Sequence, residues 1–169
     1  MDAITKFRTD LEGWLIKHGF EKLGFVWHNE YAYGFESHRI FLSTMAYPKV
    51  DEWLDEFFVD HGCHYTDIAA PVKYFLHELG HHETISQFST EDLGEYMFLK
   101  MVSGDMELSD KEYAYNYWSI PDEMAANQWA IDFINEHIDA VCDLIDVYYN
   151  DWNAIVYNYD LDELVGQPL

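Results

Sequence analysis

The sequence predicts an α+β fold, formed by a single domain over residues 1–169. Three observations support this prediction. Apolar residues near the start of the chain recur at helical spacing, residues 22–47 are rich in aromatic and β-branched residues, and the pattern becomes helical again after Pro48. Because 49% of the residues are hydrophobic and no repeat or linker divides the chain, we expect one core, enclosed by an N-terminal helix, a small antiparallel sheet and a helical C-terminal half.

The first third of the chain is expected to contain the N-terminal helix and the sheet. The spacing of apolar residues from Ile4 to Leu15 predicts the helix, and Gly19 stands where that helix should stop. Residues 25–28 and 31–44 have the composition of strands, with a break between the two segments. These residues predict two or three antiparallel strands.

The rest of the chain is predicted to be helical. Ser119 is followed three residues later by Asp122, so we expect Ser119 to cap the helix that carries Glu123. The last helix is strongly amphipathic, because its apolar residues recur every three or four positions. The predicted helices cover residues 51–59, a segment that begins within 67–71 and ends near 84, residues 90–102, residues 119–137, and residues 138–159.

The residues that point to chemistry are His77-Glu78-Leu79-Gly80-His81, within one of the predicted helices. Two histidines four positions apart project from the same face of a helix, one turn apart. This is the spacing that two imidazoles need to bind one Zn²⁺. Glu78 faces the same cleft at an offset, so its carboxylate can act as a general base on a water molecule without being a ligand. The pattern is the H-E-x-x-H motif of zinc peptidases.

A catalytic zinc ion needs a third protein ligand as well as an open position. A third histidine six residues after His81 is excluded, because Gln87 occupies that position. Glu123 is the best-placed acidic residue downstream, since it shares one helical face with Ala126, Asn127 and Ala130. The two alanines would let this helix lie close to the histidine helix. The other candidates for the third ligand, which stay open here, are Glu91, Glu95 and Glu112.

Asn127 lies one turn beyond Glu123 on the same predicted face. Its side chain could accept a hydrogen bond from one of the ligand imidazoles and so fix the orientation of that ring. A second group that resembles a metal site, His61, Cys63 and His64, has a simpler interpretation. The segment around His61 has the features of a helix end, where a histidine complements the helix dipole.

The charge of the chain limits its partners. It has 9 Lys and Arg against 32 Asp and Glu, a formal net charge of −23, and no Lys or Arg follows Lys111. Such a surface repels phosphate backbones, so we expect no direct binding to nucleic acid. We interpret the charge first as serving solubility, and a basic protein partner is the alternative. No apolar run approaches the roughly 20 residues that span a bilayer, and the N-terminus has no signal-peptide pattern. These features predict a cytoplasmic protein that does not bind a membrane.

Two motifs of this chain resemble the ImmA/IrrE family of metallopeptidases, and the resemblance covers about residues 67–135. The first motif is His77-Glu78-Leu79-Gly80-His81, and the second is the pattern Glu-x-x-Ala-Asn-x-aromatic-Ala at residues 123–130. The resemblance implies a zincin-like fold, a Zn²⁺ cofactor held by His77, His81 and Glu123, and Glu78 as general base. It also implies a protein substrate, such as a basic DNA-binding repressor. The alternative is a non-enzymatic acidic protein that sequesters such a partner, with a site that binds metal but is catalytically silent.

Overall fold

The computed structural model describes residues 1–104 and 108–169. Within these residues the α+β prediction is confirmed, with an N-terminal helix followed by a small sheet and then by helices. No helix in the described ranges has the length and apolarity that crossing a membrane requires. The elements are α1 Ala3–Lys17, β1 Gly24–His28, β2 Ala32–Gly34, β3 Arg39–Ser43, α2 Pro48–Asp60, α3 Ala70–Thr84, α4 Thr90–Ser103, α5 Asp110–Trp118, α6 Pro121–Glu136, α7 Ile138–Val147, α8 Asn153–Asn158 and α9 Leu161–Leu164.

The sheet is mixed, so the prediction of an antiparallel sheet is wrong for one of its two pairings. The strand order is β1-β3-β2, in which β3 runs antiparallel to β2 but parallel to β1. Strand composition identifies residues that suit a pleated surface, but it does not specify strand direction. Here the chain leaves β1, forms β2, and then returns to place β3 between them. The free edge of β1 pairs with the end of the chain through a bridge between Val26 and Pro168.

The first helix begins and ends as its sequence predicts. The Asp2 carboxylate accepts a hydrogen bond from the backbone N–H of Thr5 at 2.9 Å, which satisfies a free donor at the helix N-terminus. Gly19 follows the last turn with φ +84°, a conformation that suits glycine, and the next residue, Phe20, donates its N–H to the carbonyl of Leu15. The residues from Phe7 to Leu15 that face inward are buried in the core.

Two helix boundaries in the C-terminal half differ from the prediction. Residues 110–118, where no helix was predicted, form α5, which begins with a capping box between Ser109 and Glu112. Ser119 therefore ends α5 instead of capping α6, and its hydroxyl donates to the carbonyl of Tyr115 at 2.7 Å. Pro121 is the first residue of α6, and the residue before it makes no side-chain cap. A serine between two adjacent helices can serve either one, and the local sequence does not decide between them.

Residues 138–159, predicted as one helix, are divided into α7, a π-helical turn over Tyr148–Trp152 and α8, and the short α9 follows them. The first part has the expected amphipathic character, with Val141 and Leu144 fully buried. The π turn contains Asp151, which is buried and forms an ion pair with Lys6 of α1 at 2.6 Å. The apolar side of this segment packs against α1 and completes the core.

Candidate metal centre

The site is built on α3, which is the most buried helix around the core. Val72, Phe75, Leu76 and Leu79 are fully buried on this helix and anchor it against the rest of the fold. This packing fixes the helix along its length. The motif residues lie in its middle and last turns, so their side chains start from a rigid backbone.

The close approach of α3 and α6 depends on Gly80. A Cβ atom at this position would lie 2.5 Å from the carbonyl oxygen of Ala126 and 3.0 Å from its Cα. These atoms belong to the backbone, which cannot move aside as a flexible side chain would. Glycine at 80 and alanine at 126 therefore allow the two helices to touch along the line where the polar side chains meet. This explains why the motif contains a glycine that costs about 1 kcal/mol of helix propensity relative to alanine.

The contact between the helices brings the predicted ligands together. Glu123 Oε2 lies 3.0 Å from His77 Nε2 and 3.3 Å from His81 Nε2. Two ligands that each lie about 2.0–2.1 Å from a tetrahedral zinc ion are about 3.3–3.4 Å apart, so these separations suit one ion among the three atoms. Glu78 Oε1 stays further away, at 3.9 Å from His77 Nε2. Its carboxylate lies beside the three atoms, further from His77 Nε2 than the carboxylate of Glu123 is.

Asn127 determines which nitrogen of His77 is directed at Glu123. The Asn127 side-chain amide donates from Nδ2 to the carbonyl oxygen of Trp118 at 3.3 Å, and a carbonyl oxygen can only accept. Asn127 Oδ1 therefore faces His77 Nδ1, at 2.8 Å, and His77 must donate to it. The proton on Nδ1 leaves Nε2 as the nitrogen directed at Glu123, and this is the arrangement that metal-binding histidines use.

The electrostatics of the site favour a positive charge. Burial alone would lower the pKa of His77, but the carboxylates of Glu78 and Glu123 outweigh it and raise this pKa to about 9. Burial likewise tends to raise the pKa of Glu123, but hydrogen bonds from His77 and His81 hold it well below its usual range. Burial raises the pKa of Glu78, although the two imidazoles oppose the shift. Shifted pKa values in one buried cluster of acids and histidines are typical of functional sites.

Lys100 and Asp122 also belong to the site, and the sequence did not identify either as a site residue. Lys100 of α4 places its Nζ 2.6 Å from Glu123 Oε1 and 2.6 Å from Asp122 Oδ2. The ammonium group also lies 5.7 Å from the centre of the Tyr117 ring. Asp122 Oδ2 is bound to Lys100, whereas Asp122 Oδ1 is buried with no hydrogen-bond partner among the described residues. No motif or spacing marks Lys100, because α4 is joined to the site only by the tertiary fold.

The other candidate ligands lie elsewhere. Glu91 and Glu95 are exposed on α4, and Glu112 caps the N-terminus of α5. Among the described residues, the groups of acids and histidines compact enough to hold an ion are His77, Glu78 and His81, and His81, Asp122 and Glu123. All five of these residues belong to the same centre.

The cluster of His61, Cys63 and His64 has the structural role that its sequence suggests. His61 follows the last residue of α2 as its C-cap, and its Nδ1 lies 2.7 Å from the carbonyl oxygen of Phe57. Its ring also stacks on that of Phe57. The imidazole therefore closes a helix end, and its nitrogen is engaged by the backbone.

Taken together, the geometry can hold one divalent cation with two imidazoles and one carboxylate, and it places a second carboxylate beside that position. These four residues are 4–8% exposed, so little water reaches them. Comparisons of this chain with protein-family models, with curated proteins and with solved structures found no match.

Proposed function

We propose that this chain is a zinc-dependent peptidase with a zincin-like arrangement, of the kind that the resemblance to the ImmA/IrrE family implies. One observation carries the proposal. Glu123 Oε2 of α6 lies 3.0 Å from His77 Nε2 and 3.3 Å from His81 Nε2 of α3, and both distances suit ligands of one tetrahedral ion. The chemistry of the donors also fits, because imidazole and carboxylate are ligands of catalytic zinc sites.

Each side chain of the site has a separate role in the proposed hydrolysis of a peptide bond. A zinc ion at this position would act as a Lewis acid on the carbonyl of the scissile bond and on the attacking water. Glu78 accepts the proton of that water and passes it to the amine that leaves. Its raised pKa suits this role, because a base with a pKa nearer to neutrality transfers a proton in both directions more readily. Asn127 holds the His77 ring in the orientation that binding requires.

The charge of the chain supports a basic protein as the substrate. The formal net charge is −23, and the sequence after Lys111 contains Asp and Glu but no Lys or Arg. A strongly negative surface raises the rate of encounter with a positively charged protein and repels nucleic acid. A DNA-binding repressor has the required charge, which agrees with the substrates that the family resemblance implies.

The test of the proposal is metal content together with Glu78→Gln. We expect the purified protein to hold one zinc ion per chain and to hydrolyse a basic protein substrate. Glu78→Gln should keep the zinc and lose hydrolysis by at least about 100-fold, because a general base contributes 10²–10⁴-fold to the rate. Metal is measured by elemental analysis, and hydrolysis by mass spectrometry of the substrate.

The matched control is Glu83→Gln, which makes the same change at an exposed position of the same helix. This variant should behave as the unchanged protein in both measurements. If the protein binds no stoichiometric zinc, or if Glu78→Gln hydrolyses the substrate at the original rate, the proposal is wrong.

A non-enzymatic protein that sequesters a basic partner is the second candidate, and the distribution of charge is the observation that favours it. In that case neutralising the exposed acids of the C-terminal helices would abolish binding of the partner, and Glu78→Gln would change nothing. Binding of a basic repressor, measured by calorimetry with both variants, separates the two functions.

A further inference from the structure

Lys100 reaches the metal centre from a helix that carries none of the proposed ligands. Its Nζ lies between two buried carboxylates, 2.6 Å from Asp122 Oδ2 and 2.6 Å from Glu123 Oε1. The lysine side chain is 18% exposed, whereas each of the two acids is 5% exposed. An ammonium group this well enclosed and bound to two carboxylates holds a fixed position.

The two oxygens of Glu123 therefore have different partners. Oε2 faces His77 Nε2 and His81 Nε2, at 3.0 and 3.3 Å, while Oε1 faces Lys100. A free carboxylate can rotate and offer both of its oxygens to a cation. Here the ammonium group holds one oxygen, and the other faces the two imidazoles.

We propose that Lys100 is a positioning residue, which makes Glu123 a ligand through one oxygen and so keeps an open coordination position for the peptidase reaction. This inference rests on the function proposed above and adds a residue to it. Lys100 does not touch the position of the metal; it acts through Glu123. Asp122 has a supporting role, because it holds the other side of the ammonium group.

The sign of the effect on metal affinity distinguishes positioning from simple charge. A positive charge close to a cation repels it, so a lysine that acted only through its charge would weaken metal binding, and its removal would strengthen it. A lysine that orients a ligand has the opposite effect. Loss of a group that orients a metal ligand typically lowers metal affinity about 10–100-fold.

The experiment compares Lys100→Met, Lys100→Gln and Lys100→Arg with the unchanged protein. Affinity for Zn²⁺ is measured by competition with a chromophoric chelator, and the coordination of the site by the visible absorption spectrum of the Co²⁺-substituted protein. We expect Lys100→Met to bind Zn²⁺ about 10–100-fold more weakly and to show an altered Co²⁺ spectrum. Lys100→Arg, which can still donate to both carboxylates, should restore both properties.

Lys111→Met is the matched control, because Lys111 forms an ion pair with Glu56 on the surface and belongs to no part of the site. Its affinity and spectrum should not change. Where Lys100→Met does not fold, as judged by circular dichroism, the comparison of Lys100→Gln with Lys100→Arg decides the question in the same way.

Equal or tighter binding of Zn²⁺ by the Met or Gln variant, with an unchanged Co²⁺ spectrum, would overturn the role of Lys100 and leave the proposed peptidase intact. Failure of the unchanged protein to bind either metal would instead overturn the proposed function itself. The two failures are therefore distinguishable.

Discussion

Two regions of the molecule meet at the metal centre, and they are built very differently. On α3 and α6, ten of 15 and eight of 16 residues are buried, including every proposed ligand. On α4, which supplies Lys100, Ser103 is the one buried residue, and the large apolar side chains of Met97, Phe98 and Met101 are 59–72% exposed.

The comparison shows that α3 and α6 form a rigid scaffold, whereas α4 is weakly packed against it. Helices whose apolar residues are buried open only when much of the domain unfolds, whereas an element with few buried contacts opens at a small cost in free energy. We expect the backbones of α3 and α6 to stay in place when α4 opens, and such opening is one way for a substrate to approach residues that are only 4–8% exposed. Three experiments test this difference.

Zinc binding should have the largest effect on the free energy of unfolding, and it should act through the ligands on α3 and α6. At a Zn²⁺ concentration 100 times the dissociation constant, the free energy of unfolding should rise by about 2.7 kcal/mol, because the ion binds only the folded chain. Glu123→Gln should remove most of this gain, and Glu95→Gln, an exposed change on α4, should leave it intact. Denaturant unfolding with and without the metal measures the effect. An equal gain in the Glu123→Gln variant would contradict the assignment of this ligand.

The same glycine-to-alanine change should have opposite effects in the two regions. Gly80→Ala introduces a Cβ atom 2.5 Å from a backbone oxygen of α6 and should lower the free energy of unfolding by about 2 kcal/mol, as overpacking of a core does. At Gly94 of α4 a Cβ atom meets nothing within 4 Å, so Gly94→Ala should raise stability by about 0.5–1 kcal/mol through helix propensity.

Chemical denaturation of both variants measures this pair of effects. Destabilisation by Gly94→Ala would show that α4 is packed more tightly than its exposure indicates. A neutral effect of Gly80→Ala would show that the close contact between α3 and α6 can relax.

Loss of a helix cap on α4 should have a smaller effect than zinc binding or Gly80→Ala. The Ser89 side chain accepts from the backbone N–H of Asp92, and Ser89→Ala should cost about 1 kcal/mol of helix stability. If α4 opens independently, its amides should exchange with a lower opening free energy than those of α3 and α6, and Ser89→Ala should lower it further. Ser109→Ala removes the same kind of cap from α5, which Trp118 anchors in the core, so its effect should appear in global unfolding. Equal opening free energies for the amides of α4, α3 and α6 would contradict independent opening.

Local patterns predicted much of the site. The spacing of His77 and His81 placed them on one face of a helix, and the alanines beside Glu123 indicated a helix that could approach closely. Those inferences needed only helical periodicity, which the structure confirms for both helices. The closeness of the ligands is a finding of the structure, since no periodicity gives a distance between two helices.

What the sequence did not predict depends on contacts between distant segments. The direction of β1 relative to β3 follows from the path of the chain and not from strand composition. Lys100 is 22 residues from Asp122, its ion-pair partner, and nothing near it in sequence marks the pairing. Ser119 was assigned to the wrong helix because its role depends on α5, which the aromatic and acidic residues before it did not reveal.

The bridge between Val26 and Pro168 has a consequence for how the chain folds. β1 and β3 can pair early, since they are near each other in sequence, but the second edge of β1 must wait for residues near the far end of the chain. Contacts between distant residues slow folding, because a long loop must close before they form. Until then, β1 presents unpaired backbone groups that can join another chain. The period of greatest risk for aggregation therefore falls after the sheet has formed and before residues 166–169 cover its edge.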